Sequence, residues 1–135
     1  MPNEWANSLI SRRHKPRVMV NVEFQKGLSS TDELQITVIG RRTGKKLSTP
    51  VWFVSERDKL YLLPVKGSAS NWYKNILKEP TMELKASGKK TTARAKPITD
   101  MKDVIEIVEK FRLKHGPGQV KKYYSKFDTA VELSI

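Results

Sequence analysis

Apolar and polar positions change rhythm several times along the chain, and each rhythm predicts an element. From Leu34 the run LQITVIG is rich in β-branched residues, STPVWFVS at 48–55 repeats the type, and KLYLLPV at 59–65 is a third short apolar run. Three strands are expected there, the last two joined through ERDK as a tight hairpin. In TMELKAS, Met82, Leu84 and Ala86 alternate with charged or polar residues; after a turn at Gly88-Lys89-Lys90, TTARAKPI sets Ala93 and Ala95 against Arg94 and Lys96. Period-two alternation of this kind predicts a half-exposed hairpin. TAVELSI at the end of the chain alternates again and reads as a closing strand.

Helical spacing appears elsewhere. Trp5, Leu9 and Ile10 lie within helical reach in residues 4–13, with Arg12 and Arg13 suited to the negative end of a helix dipole. VMVNVEF fits strand or helix equally. SASNWYKNILK, 68–78, reads as a helix capped by Ser68 or Ser70 and stopped by Pro80, with Trp72, Tyr73 and Ile76 inward. Residues 101–113 place Met101, Val104, Ile105, Val108 and Phe111 on one face, between Asp100 as cap and Gly116 as stop. A last short helix is expected near 119–126. About six short strands at hairpin spacing, with helices that do not alternate with them one for one, predict an antiparallel, barrel-like α+β domain rather than a parallel sheet. Residues 1–135 read as one domain with an N-terminal helical segment at about 1–15, without internal repeats.

Composition narrows the chemistry. The chain has 135 residues, a formal net charge of +12, no cysteine and two histidines. Disulfides, thiolate metal sites, iron–sulfur clusters and cysteine nucleophiles are excluded together. His14 and His115 have no carboxylate or histidine at metal-ligand spacing, so both are expected at the surface and no metal is expected. No apolar run approaches the ~20 residues of a membrane span, and Glu4 and Asn7 interrupt any signal-peptide core. A cytoplasmic protein is expected, with polyanionic partners: nucleic acid, anionic lipid or a phosphorylated small molecule.

The densest cationic feature is GRRTGKK, 40–46, between the first two strands. It is not a Walker loop, because its glycines are too close, Lys46 follows Lys45 where a Ser or Thr is required, and a strand rather than a helix comes next. Such a turn can hold an anion on backbone N–H groups and flanking cations, or it can be a solvated hairpin whose glycines supply positive φ. A second basic-glycine pair, Lys66-Gly67, directly precedes a predicted helix start, itself an anion-friendly position.

Taken in order, Gly40-Arg41-Arg42-Thr43-Gly44, Pro50 with Val51-Trp52-Phe53, Lys66-Gly67, Trp72-Tyr73 with Asn75, and Leu77 and Pro80 in NILKEP resemble the deazaflavin-dependent nitroreductase family, a branch of the flavin-binding split β-barrel superfamily. The match covers residues 34–98, with a looser fit at the last strand. The resemblance implies a split β-barrel and an oxidoreductase that takes hydride from reduced 8-hydroxy-5-deazaflavin, coenzyme F-420, to an electron-poor quinone, nitro compound or enone. It implies that Arg41, Arg42, Lys45, Lys46 and Lys66 follow the coenzyme's phosphate and glutamate tail, with Thr43 and Gly44 at the phosphate and Gly67 along the ring path. Thr49, Pro50 and Val51 would lie along the ring, with Trp72 and Asn75 near it. Tyr123 and Tyr124 are the candidate donors to the substrate oxygen.

FMN, with one phosphate and no glutamates, is the nearest alternative cofactor. A basic nucleic-acid-binding module is the rival of another class: Lys85, Lys89, Lys90, Arg94 and Lys96 supply charge on the exposed hairpin, but no aromatic alternates with them. Oligomeric state is left open by the sequence.

Overall fold

A computed structural model of the chain describes the backbone of residues 15–135 and side chains from residue 22 onward. The helix expected at 4–13, and His14, lie outside the described residues. VMVNVEF belongs to helix α1, Lys15–Ser29, which resolves the strand-or-helix ambiguity through Phe24 and Leu28, one helical turn apart and both buried.

Eight strands follow where about six were expected: β1 (Glu33–Ile39), β2 (Lys46–Trp52), β3 (Val54–Glu56), β4 (Lys59–Leu62), β5 (Thr81–Ala86), β6 (Lys89–Arg94), β7 (Lys96–Ile98) and β8 (Ala130–Ser134). The difference comes from two runs that each change sheets partway. STPVWFVS breaks at Phe53 and the run through Arg94 breaks at Ala95. The result is two four-stranded antiparallel sheets, ordered β2-β1-β5-β6 and β3-β4-β8-β7, rather than one six-stranded barrel. The hairpin turn between β5 and β6 is Ser87-Gly88, both at positive φ, and Lys89 already pairs with Ala86. That is the two-residue connection whose twist suits adjacent antiparallel strands, and it displaces the turn expected at 88–90.

Period-two alternation sorts the side chains. Leu34, Ile36 and Val38 of β1, Met82, Leu84 and Ala86 of β5, Leu60 and Leu62 of β4, and Val131 and Leu133 of β8 form one core with Phe24 and Leu28. Tyr73 and Ile76 join it from helix α2, Asn71–Lys78, which follows a 3-10 turn at Gly67–Ala69. A second cluster gathers Val54, Leu63 and Ala130 with helix α3, Met101–His115, and helix α4, Pro117–Tyr123. Asp100 caps α3 as expected, its carboxylate accepting from the amides of Lys102 and Asp103. The buried stripe of α3 is Val104, Ile107, Val108 and Phe111. Met101 and Ile105, placed inward by the sequence reading, are half-exposed. Ile105 sits roughly 100° round the helix from Val104, off the stripe that Ile107 completes.

Gly27 marks the closest approach of α1 to the β5–β6 hairpin: a Cβ built there would lie 2.5 Å from the Ala86 carbonyl oxygen. Gly27→Ala is therefore expected to destabilise the fold by about 1–3 kcal/mol, because one of two backbone segments must move. Urea denaturation should show a lower midpoint with an unchanged slope; an unaltered midpoint would mean that α1 shifts freely.

Candidate functional site

Among the described residues strand β2 is an edge: it pairs with β1 alone. Pro50 is compatible with that position, since it has no N–H to give to an outer neighbour. Along β2, Leu47, Ser48 and Pro50 are exposed and Thr49, Val51 and Trp52 half-buried. Its outer side, about 20 Å long, has no strand partner among the described residues.

At its start lies the cationic turn. The Gly40 amide donates to the Lys45 carbonyl (2.8 Å), the Gly44 amide to the Gly40 carbonyl (2.9 Å), and the Lys45 amide to Thr43 Oγ1 (3.2 Å). Gly44 has φ of 72°, where a side chain would be strained, which is why glycine stands there. Arg41 is bound into the framework. Its amide and guanidinium both donate to Asn75 Oδ1, at 3.1 and 2.8 Å, and its carbonyl accepts from Lys78 Nζ at 2.9 Å. Asn75 is only 3% exposed, so its carboxamide clamps the turn to α2. Arg42, Thr43, Gly44 and Lys45 are exposed, and the amides of Arg42 and Thr43 have no hydrogen-bond partner among the described residues. Residues Ile39–Gly44 with Lys78, Glu79 and Thr81 line an open cleft of about 710 Å³.

Two smaller cavities follow β2. One of about 200 Å³ is lined by Val38, Leu47, Ser48, Thr49, Asn71, Trp72 and Asn75. The other, of about 360 Å³, is lined by Pro50, Val51, Trp52, Leu63, Val65, Tyr123 and Tyr124, with Glu33 as the carboxylate among them. The fold thus brings Thr49, Pro50, Val51, Trp72, Asn75, Tyr123 and Tyr124 to one strand edge. Lys66 and Gly67 line none of these cavities. The anion position expected at that helix start is taken by the chain's own Asp128, whose carboxylate accepts from the Ser68 amide (2.9 Å) and hydroxyl (2.5 Å). Those bonds, the Ser68 hydroxyl foremost, hold the Asp128 carboxyl below its usual range. A Cβ at Gly67 would fall 2.2 Å from Asp128 Oδ1, so this glycine serves a close contact. Ser70 occupies the N-cap of α2, yet its hydroxyl accepts the Lys66 amide (2.8 Å) rather than capping the helix.

The two tyrosines differ. Tyr123 is 49% exposed and sets its ring edge-on to Trp52, with centroids 5.4 Å apart. Tyr124 is 6% exposed, and its hydroxyl has no hydrogen-bond partner among the described residues; burial pushes its pKa well above the ordinary value. The phenol is therefore neutral and able to donate.

A protein-family model for the F-420H(2)-dependent quinone reductase matches residues 10–132, nearly the whole chain. The chain belongs to this family. It is accordingly an oxidoreductase, and its coenzyme is F-420. No curated protein matches the chain. Solved structures similar to it include an F-420-H2 dependent reductase (FDR-A), 18% identical with a TM-score of 0.61 over 76% of this chain and 94% of that one. The heme storage protein HutZ from Vibrio cholerae is 11% identical, with a TM-score of 0.63 over 85% and 89% of the two chains. A putative pyridoxamine 5'-phosphate oxidase from Listeria innocua is 10% identical, with a TM-score of 0.63 over 84% and 91%. At these identities the structural likeness establishes the shared fold and no more.

Two contributors to this edge escaped the sequence reading as site residues. Trp52 appeared there as part of an apolar strand and of the motif that carries the family resemblance, without a role at the site. Glu33 carried no local signal, since only the pairing Glu33–Trp52 brings it to the cavity rim. His115, expected at the surface, is half-buried against Trp52. Among the described residues no group of acidic or histidine side chains could hold a metal, and no helix is long and apolar enough to cross a membrane.

Proposed function

We propose that this reductase delivers hydride to a neutral, planar quinone-type acceptor in the cavity walled by Trp52, Tyr123 and Tyr124. The observation that carries the reading is that one open edge strand joins an exposed cationic turn to an aromatic cavity. A coenzyme with an anionic tail at one end and a flat ring at the other fits that sequence of surfaces: charge at Arg42 and Lys45, then apolar and hydroxyl contacts at Thr49, Pro50 and Val51, while Lys46 is paired with Glu83 at 2.9 Å. When bound, the reduced coenzyme supplies a hydride. The protein's part is to orient, to exclude water, and to place a neutral phenol where the acceptor oxygen gains negative charge and takes up a proton. Tyr124 fits that role by burial and by a hydroxyl that has no hydrogen-bond partner among the described residues. Glu33 on the rim disfavours anionic acceptors, which supports a neutral one. Asn75 and Arg41 act as the anchor that fixes the turn.

The test is titration of the purified chain with reduced F-420, FMN and duplex DNA at two salt concentrations, followed by turnover with menadione and with an intact anionic quinone, 1,4-naphthoquinone-2-sulfonate. Tight F-420 binding with faster reduction of the neutral quinone is expected. Equal rates for both acceptors would refute the acceptor assignment, and preference for FMN or DNA would refute the site as a whole.

A further inference from the structure

We infer that His115 is a positioning residue for the acceptor cavity, holding the Trp52 indole flat as that cavity's wall. The inference rests on reading the cavity as the acceptor site.

Trp52 closes β2 at the point where the chain leaves one sheet for the other, and Phe53 belongs to neither ladder. A tryptophan at such a corner has no cross-strand neighbour beyond it to fix its ring. The end of α3 supplies the restraint. The imidazole of His115 stacks on the indole with centroids 4.6 Å apart and planes 9° from parallel. His115 Nε2 lies 3.1 Å from the Phe53 carbonyl oxygen, and Lys114 Nζ donates to the same oxygen at 2.9 Å. The carbonyl released from the ladder is thereby satisfied, and the ring that satisfies it is locked in the stacking plane. Because Nε2–H is the donor, Nδ1 carries the lone pair of the neutral ring. Gly116, at φ of 93°, then turns the chain into α4, which returns Tyr123 to the Trp52 edge and Tyr124 to within 6.1 Å of it. One helix end therefore sets the wall and the approach of both phenols.

Three variants separate ring from hydrogen bond: His115→Ala removes both, His115→Phe restores the ring alone, and His115→Gln restores a donor alone. In a background with Trp5 and Trp72 replaced by Phe, so that Trp52 is the sole indole, near-ultraviolet circular dichroism reads its immobilisation without any coenzyme. Loss of that signal is expected for His115→Ala and His115→Gln, with recovery for His115→Phe. In the otherwise native chain the acceptor KM should rise about threefold to tenfold for His115→Ala, matching the value of an aromatic pair, and return with His115→Phe. The coenzyme Kd should stay unchanged and kcat within about twofold. An intact Trp52 signal in folded His115→Ala, or rescue by Gln as complete as by Phe, would overturn the inference. If His115→Ala fails to fold, the Phe and Gln variants decide alone. A chain that binds no F-420 would refute the functional reading, while the dichroism would still report whether His115 holds Trp52.

Discussion

Removing the two exposed cations of the turn, as Arg42→Ala with Lys45→Ala, is expected to raise the Kd for F-420 about thirtyfold to a hundredfold. Both side chains are exposed and neither makes an ion pair among the described residues. Each can therefore meet a phosphate or carboxylate without first giving up a partner. A charge-assisted hydrogen bond at an exposed site contributes about 1–1.4 kcal/mol after discounting for solvent, so two together give the stated range. Stability should hardly change, because the turn keeps its own Gly40–Lys45 and Gly44–Gly40 backbone bonds and the bond from the Lys45 amide to Thr43 Oγ1. The remaining affinity should depend less on salt, since fewer charges are neutralised on binding. Arg41→Ala should behave differently: it leaves the nearly buried Asn75 Oδ1 without its guanidinium partner and loosens the turn from α2, so thermal stability falls with affinity. Titration by coenzyme fluorescence at low and moderate salt, beside thermal melts, reads all three variants. Unchanged affinity in the Arg42/Lys45 pair would remove the turn from the binding surface.

The contrast between Arg41 and Arg42 also shows how far the sequence was legible. Composition and glycine spacing singled out the turn, but adjacent arginines look alike in one dimension. Only the docking of α2 decides which one is tied down. The strands around the turn were readable because Leu34, Ile36 and Val38 alternate toward a core, and α3 because a cap, a stripe and a stop coincide. What escaped was long-range. The sheet change at Phe53 leaves no mark in an apolar run, since β-branched and aromatic residues suit both sheets equally. The occupation of the Ser68 amide by Asp128 joins residues 60 positions apart. The stack of His115 on Trp52 likewise depends on where α3 ends relative to β2, which helical periodicity does not contain.

Tyr124→Phe is expected to lower kcat about a hundredfold, with Tyr123→Phe costing about threefold or less. A donor aimed at an oxygen that becomes negative is worth about 10²–10³ in rate when it is buried and preorganised, and little when it is wet. Tyr124 meets those conditions: it is 6% exposed, it borders the Trp52 cavity, and its hydroxyl has no partner among the described residues. Tyr123 is half in solvent, and its contact with Trp52 is made by the ring, which Phe preserves. Stability should separate a catalytic from a structural role. Deleting a buried hydroxyl without a partner among the described residues leaves folding unchanged or slightly improved, so the melting temperature of Tyr124→Phe should not fall. The pH profile supplies a second check. Burial raises the Tyr124 pKa above the ordinary phenol value of 10.0, so the neutral, donating form persists as pH rises through 10. The wild-type kcat should therefore show no loss there from ionisation of this phenol. A Tyr124→Phe enzyme that turns over menadione at the wild-type rate would show that the acceptor oxygen takes its proton from solvent, and that the buried phenol only lines the wall.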